Sequence, residues 1–340
     1  MKNKPANSLV ELDLAKLGDR LGKTLLQQRL HIQVHFASHI FGSQNHAIHV
    51  ENVWLMNVTL RYLLKAFGLF GIGNRNYKNI EINENIAYFA QLPRAFDGFR
   101  ILHLSDVHLD LDPSITDVII ERLRGLRYDL CVITGDFRAD TMGDYGAAVA
   151  EMCKIIPHIE TPVYAILGNH DYIEMVLPLE EAGMRFLLNE NVKLQRGKQS
   201  LFLAGIDDSF TYETDDFGRA CQGIPPGAFS ILLSHSPDTF RRACATGFSF
   251  MLSGHTHGGQ ICLPGGFPLI KNARCPNRMV RGAWEYHDMQ GYTSAGTGAC
   301  GVPVRFFCPP EIVIHELRQG KFPLEVVALT QEDPALAAVT

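Results

Sequence analysis

The chain has 340 residues, 46% of them hydrophobic, and a formal charge of −5. That length and apolar content support one large buried core plus an extension and exclude a disordered chain. Residues 1–80 hold ten Lys/Arg and four Asp/Glu, a net +6, which leaves −11 on the rest. A cationic amino-terminal segment on an acidic body points to an anionic partner; no basic patch with interleaved aromatics suggests nucleic acid.

Leu14, Leu17, Leu21 and Leu25 recur at helical spacing and predict an amphipathic helix over residues 8–30, with Ser8 placed to cap it. Glu11, Asp13, Lys16 and Asp19 interrupt this stretch, so it does not read as a secretory signal, and cytoplasmic residence is expected. His31, His35 and His39 follow at i, i+4 and i+8, with His46 and His49 nearby. No carboxylate joins them, and they are read as structural. A second helix over 52–67 places Val53, Met56, Leu60, Leu63, Leu64 and Phe67 on one face. Trp54, Leu55, Val58 and Tyr62 widen that face, leaving a strip of Asn57, Arg61 and Lys65. Arg61 and Lys65 break any membrane span. Two readings stay open: a helix lying at an anionic membrane surface, or one docked on protein. The stretch Gly68 to Gly73 is expected to end this helix, with Asn74-Arg75-Asn76 leading out.

Residues 1–75 are thus expected to form a helical extension, residues 76–320 the main domain, opening at Asn79-Ile80-Glu81-Ile82, and residues 321–340 a tail. Five short apolar runs follow, at 100–104, 130–133, 163–167, 229–233 and 248–252, and each has the composition of a buried strand. Each ends in a ligand-rich block: Asp106-Val107-His108, Gly135-Asp136, Gly168-Asn169-His170-Asp171, His235, and Gly254-His255-Thr256-His257. In α/β sheets ligands gather beyond the carboxyl ends of strands. One rule therefore brings Asp106, His108, Asp136, Asn169, His235, His255 and His257 to a single edge, and that set is too rich for one ion. Borderline divalent ions accept imidazole and carboxylate together. Two of them about 4 Å apart can clamp a phosphoryl group and activate water. Their repulsion at that distance calls for a carboxylate between them, and Asp136 is the natural bridge. Asn169 adds a neutral oxygen.

These blocks resemble the calcineurin-like metallophosphoesterase pattern D-x-H, G-D, G-N-H-D, H, G-H-x-H, over about residues 79–317. Gly254 to Ile261 and the late Gly296-Thr297-Gly298, Pro303-Val304-Arg305-Phe306 and Pro309-Pro310-Glu311 are similar to its bacterial membrane-associated branch. That branch holds YkuE-type phosphoesterases and the LpxG-type UDP-2,3-diacylglucosamine pyrophosphatases of lipid A synthesis. Many of its members carry a transmembrane helix near the amino terminus, from which this chain departs. The resemblance implies an αββα fold, a β-sandwich of two sheets flanked by helices. It implies one metal held by Asp106, His108, Asp136 and His257, and a second held by Asp136, Asn169, His235 and His255. His170 then faces the substrate phosphate, stabilising charge or protonating the leaving oxygen. Asp171 would orient the His170 ring, or simply cap a turn. His103, His158, His287 and His315 receive no role.

The eight cysteines, Cys131, Cys153, Cys221, Cys244, Cys262, Cys275, Cys300 and Cys308, form no C-x-x-C pair and read as reduced structural thiols, a disulfide among the last four being the alternative. The expected activity is hydrolysis of a phosphodiester or pyrophosphate with two divalent ions, Mn²⁺ first and Fe²⁺, Zn²⁺ or Mg²⁺ as alternatives. A lipid-linked substrate, UDP-2,3-diacylglucosamine, is the specific candidate, met at the cytoplasmic face of the inner membrane. The alternatives are a soluble phosphodiesterase or phosphomonoesterase of broad specificity and a non-catalytic metal-binding module. Retention of all seven ligands and His170 disfavours the module. The oligomeric state is not legible.

Overall fold

The computed structural model describes residues 6–35 and 54–321. His39, His46, His49, Val53 and the expected tail from residue 322 onward lie outside them. Two six-stranded sheets form the centre. The first holds β1 (Glu81–Phe89), β2 (Phe99–Leu104), β3 (Leu130–Ile133), β4 (Val163–Ala165), β5 (Met184–Phe186) and β14 (Glu311–Gln319), in the order β1-β14-β2-β3-β4-β5. The second holds β6 (Glu190–Arg196), β7 (Gln199–Gly205), β8 (Ser230–Leu233), β9 (Phe250–Ser253), β12 (Gly282–Tyr286) and β13 (Met289–Thr293), in the order β12-β13-β9-β8-β7-β6. The hairpin β10 (Cys262–Leu263) and β11 (Phe267–Pro268) stands apart.

Alternation along the strands builds the layers. Phe99 and Ile101 of β2 and Val313 and Leu317 of β14 meet Leu203, Ile231, Phe250 and Leu252 of the second sheet. Leu102, Leu104, Cys131 and Ile133 face the other way, onto helices that carry Ile115, Ile119, Met152 and Leu179. The outer face of the second sheet is covered around Phe240, Phe248 and Trp284. This is the expected αββα architecture. Strands β2, β3 and β4 pair in parallel, as do β7, β8, β9 and β13. Parallel pairing points their carboxyl ends the same way within each sheet, so the ligand-rich turns share an edge.

The amino-terminal helices depart from the sequence reading in three ways. The expected helix over 8–30 is two: α1 (Ala6–Leu21) and α2 (Lys23–Val34). Gly22 between them has φ 101°, which an L side chain rarely adopts. Next, the glycine-rich stretch does not lead out into a loop. α3 (Trp54–Ala66) is followed by α4 (Phe70–Lys78). Gly73 of α4 is there for contact: a Cβ at this position would lie 2.7 Å from the Phe306 ring. The Gly73 carbonyl accepts from Arg305 N at 2.9 Å. Third, the apolar face of α3 is split. Leu64 is buried with Val302 and Val304, and Leu60 packs beside them, whereas Tyr62, Leu63 and Phe67 are exposed.

The first two helices dock on the sandwich. Arg20 gives both ends of its guanidinium to Glu190 at 3.1 and 2.9 Å, and reaches Glu180 and the Phe186 carbonyl at 2.8 Å. Arg29 is fully buried over the Tyr212 ring and bonds Asp207 Oδ1 at 2.8 Å and the Asp171 carbonyl at 2.8 Å. The Arg29–Asp207 pair has no exposed side-chain surface on either partner. Removing one member of such a pair strands the other charge, at a cost of about 3–5 kcal/mol. Arg29→Leu is therefore expected to lower urea-unfolding stability by that amount, and Arg29→Leu/Asp207→Leu by clearly less. Equal losses in the single and double variants would contradict a coupled pair.

Candidate metal centre

Each site residue sits just past a strand end. Asp106 and His108 follow β2, Asp136 follows β3, Asn169 and His170 follow β4, His235 follows β8, and His255 and His257 follow β9. All are buried, with His257 the least so. Five of them hold left-handed backbone: Asp106 (φ 51°), His108 (42°), Asp136 (58°), His255 (69°) and His257 (50°). Non-glycine residues in this region cost on the order of 1 kcal/mol each, and such strain gathers where a fold aims functional groups.

Asp136 Oδ2 is the point of convergence. It lies 3.3 Å from His235 Nε2, 3.7 Å from His108 Nε2 and 3.9 Å from His170 Nε2. On one side His108 Nε2 faces His257 Nε2 at 3.1 Å, and His257 Nε2 is 3.5 Å from Asp106 Oδ1. On the other, Asn169 Oδ1 lies 2.9 Å from His235 Nε2 and 2.8 Å from His255 Nδ1. Asp136, His235 and His255 bring their donor atoms within 4.8 Å of one another, and so do His108, Asp136 and His170.

The main chain sets the tautomers. The Nδ1 atoms of His108, His170 and His235 donate to the carbonyls of Arg138, Ala139 and Thr134 at 2.6, 2.6 and 2.7 Å. A proton fixed on Nδ1 leaves the Nε2 lone pair of a neutral ring facing the centre. Facing lone pairs around a carboxylate are a donor set that could hold a cation. Burial opposes charge on Asp136, but His235, His170 and His108 outweigh it and hold its carboxyl well below the usual range. Burial alone would lower His235 too, yet the Asp136 charge lifts it to about 10. Burial raises Asp106 to about 6 and lowers His108 to about 3.

Of the two readings of Asp171, ring partner or cap of a turn, the contacts fit the second. Its carboxylate does not reach the His170 ring, which the Ala139 carbonyl orients. Instead it accepts from the N–H groups of Asp136, Phe137 and Gly168, each at 2.8 Å, and of Arg138 at 3.4 Å. Other residues here were given no role in the site by the sequence. Arg305 is buried and donates to the carbonyls of His257 and Ala295 at 2.8 Å, bracing the His257 turn. Asp106 ends a line of hydrogen bonds. Asn85 Nδ2 lies 3.0 Å from His315 Nδ1, His315 Nε2 is 3.1 Å from His103 Nδ1, and His103 Nε2 is 2.9 Å from Thr134 Oγ1. Thr134 then donates to Ser105 at 2.7 Å, and Ser105 to Asp106 Oδ2. Burial pushes His103 down to about 3 and His315 well below its usual value, so both are neutral and every donor points towards Asp106. Nothing in the sequence beyond the strand register of β2 and β14 hinted at this line.

Asp136, His170, His255 and His257 line an open cleft of about 120 Å³. Met56 and Asn57 of α3 border it on one side and Ile270 and Asn272 on another.

Residues 99–259, the segment holding every one of these donors, match the calcineurin-like phosphoesterase family. The metallophosphoesterase YkoQ of Bacillus subtilis is 30% identical over 72% of this chain and 93% of its own length. The chain belongs to the calcineurin-like phosphoesterase family. YkuE of Bacillus subtilis is also 30% identical, over 70% of this chain and 86% of its own. A Danio rerio transmembrane protein with a metallophosphoesterase domain is 30% identical over 68% of this chain and 55% of its own. The protein is thus a metal-dependent phosphoester hydrolase.

A cation held by His235 beside Asp136 would displace the proton that the Asp136 charge keeps on that ring. Below about pH 10 that proton is bound in the metal-free state, so affinity should rise with pH, by about tenfold per unit for each proton released. Calorimetry of Zn²⁺ binding to stripped protein, in buffers of different ionisation enthalpy at pH 7, is expected to show net proton release. His235→Asn should release at least one proton fewer. Affinity that stays flat between pH 6 and 8 would contradict the assignment.

Proposed function

We propose that this phosphoesterase holds two divalent ions that share Asp136. Asp106, His108 and His257 complete one set, and Asn169, His235 and His255 the other. The supporting observation is the place of Asp136 Oδ2, 3.3–3.9 Å from three imidazole nitrogens. Bound divalent ions neutralise charge on a phosphoryl group and acidify water at neutral pH. The remaining work falls to the chain itself. His170 borders the cleft with Nδ1 tied to Ala139. Its Nε2 is the end available to a phosphoryl oxygen or a leaving oxygen. In this reading His170 carries a proton to the departing oxygen rather than holding metal.

The proposed reaction is hydrolysis of a phosphodiester or pyrophosphate whose remainder is amphiphilic, with UDP-2,3-diacylglucosamine the specific candidate and a place in the YkuE/LpxG-like branch. Two features support it. The helices bordering the cleft expose Tyr62, Leu63, Phe67 and Ile72, and the β10–β11 segment exposes Leu263, Phe267, Leu269 and Ile270. Residues 54–80 and 254–284, which carry these side chains, hold eight Lys/Arg and no Asp or Glu. An apolar rim with only cationic charge suits an anionic lipid surface. Among the described residues no helix is long and apolar enough to cross a membrane, so the contact proposed is peripheral, on the cytoplasmic face. The membrane-protein relative from Danio rerio agrees with work close to lipid.

Two experiments examine these claims. Metal analysis of protein reconstituted with Mn²⁺ should approach two ions per chain, and Asp136→Asn should lose metal and activity together. His170→Asn should keep both ions while turnover falls by about 10²–10⁴, and by less on nitrophenyl esters, whose leaving groups need no proton. Metal loss in His170→Asn would make it a ligand instead. For the rim, Leu63→Asp/Phe67→Asp should abolish co-sedimentation with anionic vesicles and leave turnover of a small soluble diester intact. Undiminished vesicle binding by the variant would remove this rim as the contact, and wild type that binds no vesicles would favour a soluble phosphodiesterase or phosphomonoesterase.

A further inference from the structure

Cys300 stands where none of the family's matched residues lie. It falls outside the segment 99–259, on the loop that follows β13. Yet its sulfur and the donor nitrogens of His108 and His257 all lie within 4.8 Å of one another. The side chain also lines the cleft. Its backbone is held on both sides by one amide: Cys300 N donates to Gln260 Oε1 at 2.7 Å, and Gln260 Nε2 donates to the Cys300 carbonyl at 2.9 Å. Gln260 itself has φ 52°, a conformation non-glycine residues seldom adopt. Further back, Thr297 N and Gly298 N donate to the carbonyls of Ser105 and Asp106 at 2.8 and 2.9 Å. The loop is thus fastened to both turns that carry the facing donors.

Its neighbours differ. Cys308 Sγ faces the carbonyls of His257 and Gly258 at 3.4 and 3.5 Å, and Cys262 Sγ faces Gly258 O at 3.3 Å. Both are buried and directed at main chain. Cys300 is the cysteine that joins a donor cluster of this centre.

We infer that Cys300 is a further ligand of the ion held by His108 and His257, and that its sulfur selects a thiophilic cation at that position. The inference rests on the metal assignment proposed above. As the sulfur–metal bond forms, the S–H proton leaves to solvent. A Zn–S bond is about 2.3 Å and a Zn–N bond about 2.1 Å, so two such ligands stand at most roughly 4.4 Å apart. The 4.8 Å within which the three donor atoms lie is close to that limit. Thiolate favours Zn²⁺, Fe²⁺ or Co²⁺ over Mg²⁺ and Mn²⁺. The two positions would then prefer different ions: a softer one beside Cys300, and a harder one beside Asn169.

Cobalt reports this directly. Metal-stripped, reduced protein is titrated anaerobically with Co²⁺ as wild type, Cys300→Ser, Cys300→Ala and Cys308→Ser. Visible ligand-field bands are expected in all four. A near-ultraviolet sulfur-to-cobalt charge-transfer band is expected in wild type and Cys308→Ser and should be missing from both Cys300 variants. The preference for Zn²⁺ over Mn²⁺ should fall at least tenfold in Cys300→Ser. On the unaltered protein, Zn²⁺ should slow alkylation of Cys300, read by peptide mass spectrometry, at least tenfold. Ligand-field bands without the charge-transfer band in wild type, the band persisting without Cys300, or alkylation indifferent to Zn²⁺ would each overturn the inference and leave the two-ion reading standing. Absence of cobalt binding in wild type would overturn both.

Discussion

Four main-chain N–H groups, from two different loops, converge on the Asp171 carboxylate. Three belong to the turn after β3 and one to the turn after β4. These turns bring Asp136, Asn169 and His170 to the centre. Buried N–H groups without an acceptor cost about 1–3 kcal/mol each, and a neutral side chain could not accept so many. The Asp171 carboxylate thus ties the turn after β3 to the turn after β4. His170 N adds the reverse stitch, donating to Asp136 Oδ1 at 2.9 Å. Donor geometry at the metal centre is in this sense a product of main-chain hydrogen bonding.

The same economy of aim appears in the strained turns. Left-handed backbone at Asp106, His108, Asp136, His255 and His257 turns each side chain back over its own strand end. No single one of these conformations is favourable alone. The turns that carry them are bonded to neighbouring turns: Asp106 N to Gly135 O, His108 N to Asp136 O, and Gly254 N to His235 O. Arg305 supplies the cover, bonding the carbonyls of Ala295, His257 and Gly298 from one planar group. A guanidinium with five N–H donors suits this task where a lysine would not.

Much of this was legible from residue order. Buried parallel strands announce themselves as short apolar runs, and chemistry collects at their carboxyl ends, so five runs and five blocks placed the centre. What stayed hidden depends on contacts between segments far apart in the chain. Asp171 beside His170 suggested a ring partner or a cap of its own turn, because sequence cannot show that three N–H groups of the turn after β3 need an acceptor there. Gly73 read as part of a breaker and is instead a space for Phe306. His103 and His315 are separated by 212 positions and meet only through the pairing of β14 with β2. Cys300 looked like a small hydrophobe because its nearness to His108 and His257 is set by the Gln260 amide.

The bond from Arg29 to the Asp171 carbonyl carries a consequence of its own. The residue whose side chain gathers the turns after β3 and β4 is gripped at its main chain by α2. Linkage is reciprocal: by whatever free energy docking of the first two helices alters cation affinity at the centre, occupancy of the centre alters that docking by the same amount. Neither helix need supply a donor atom for the two to be linked in this way.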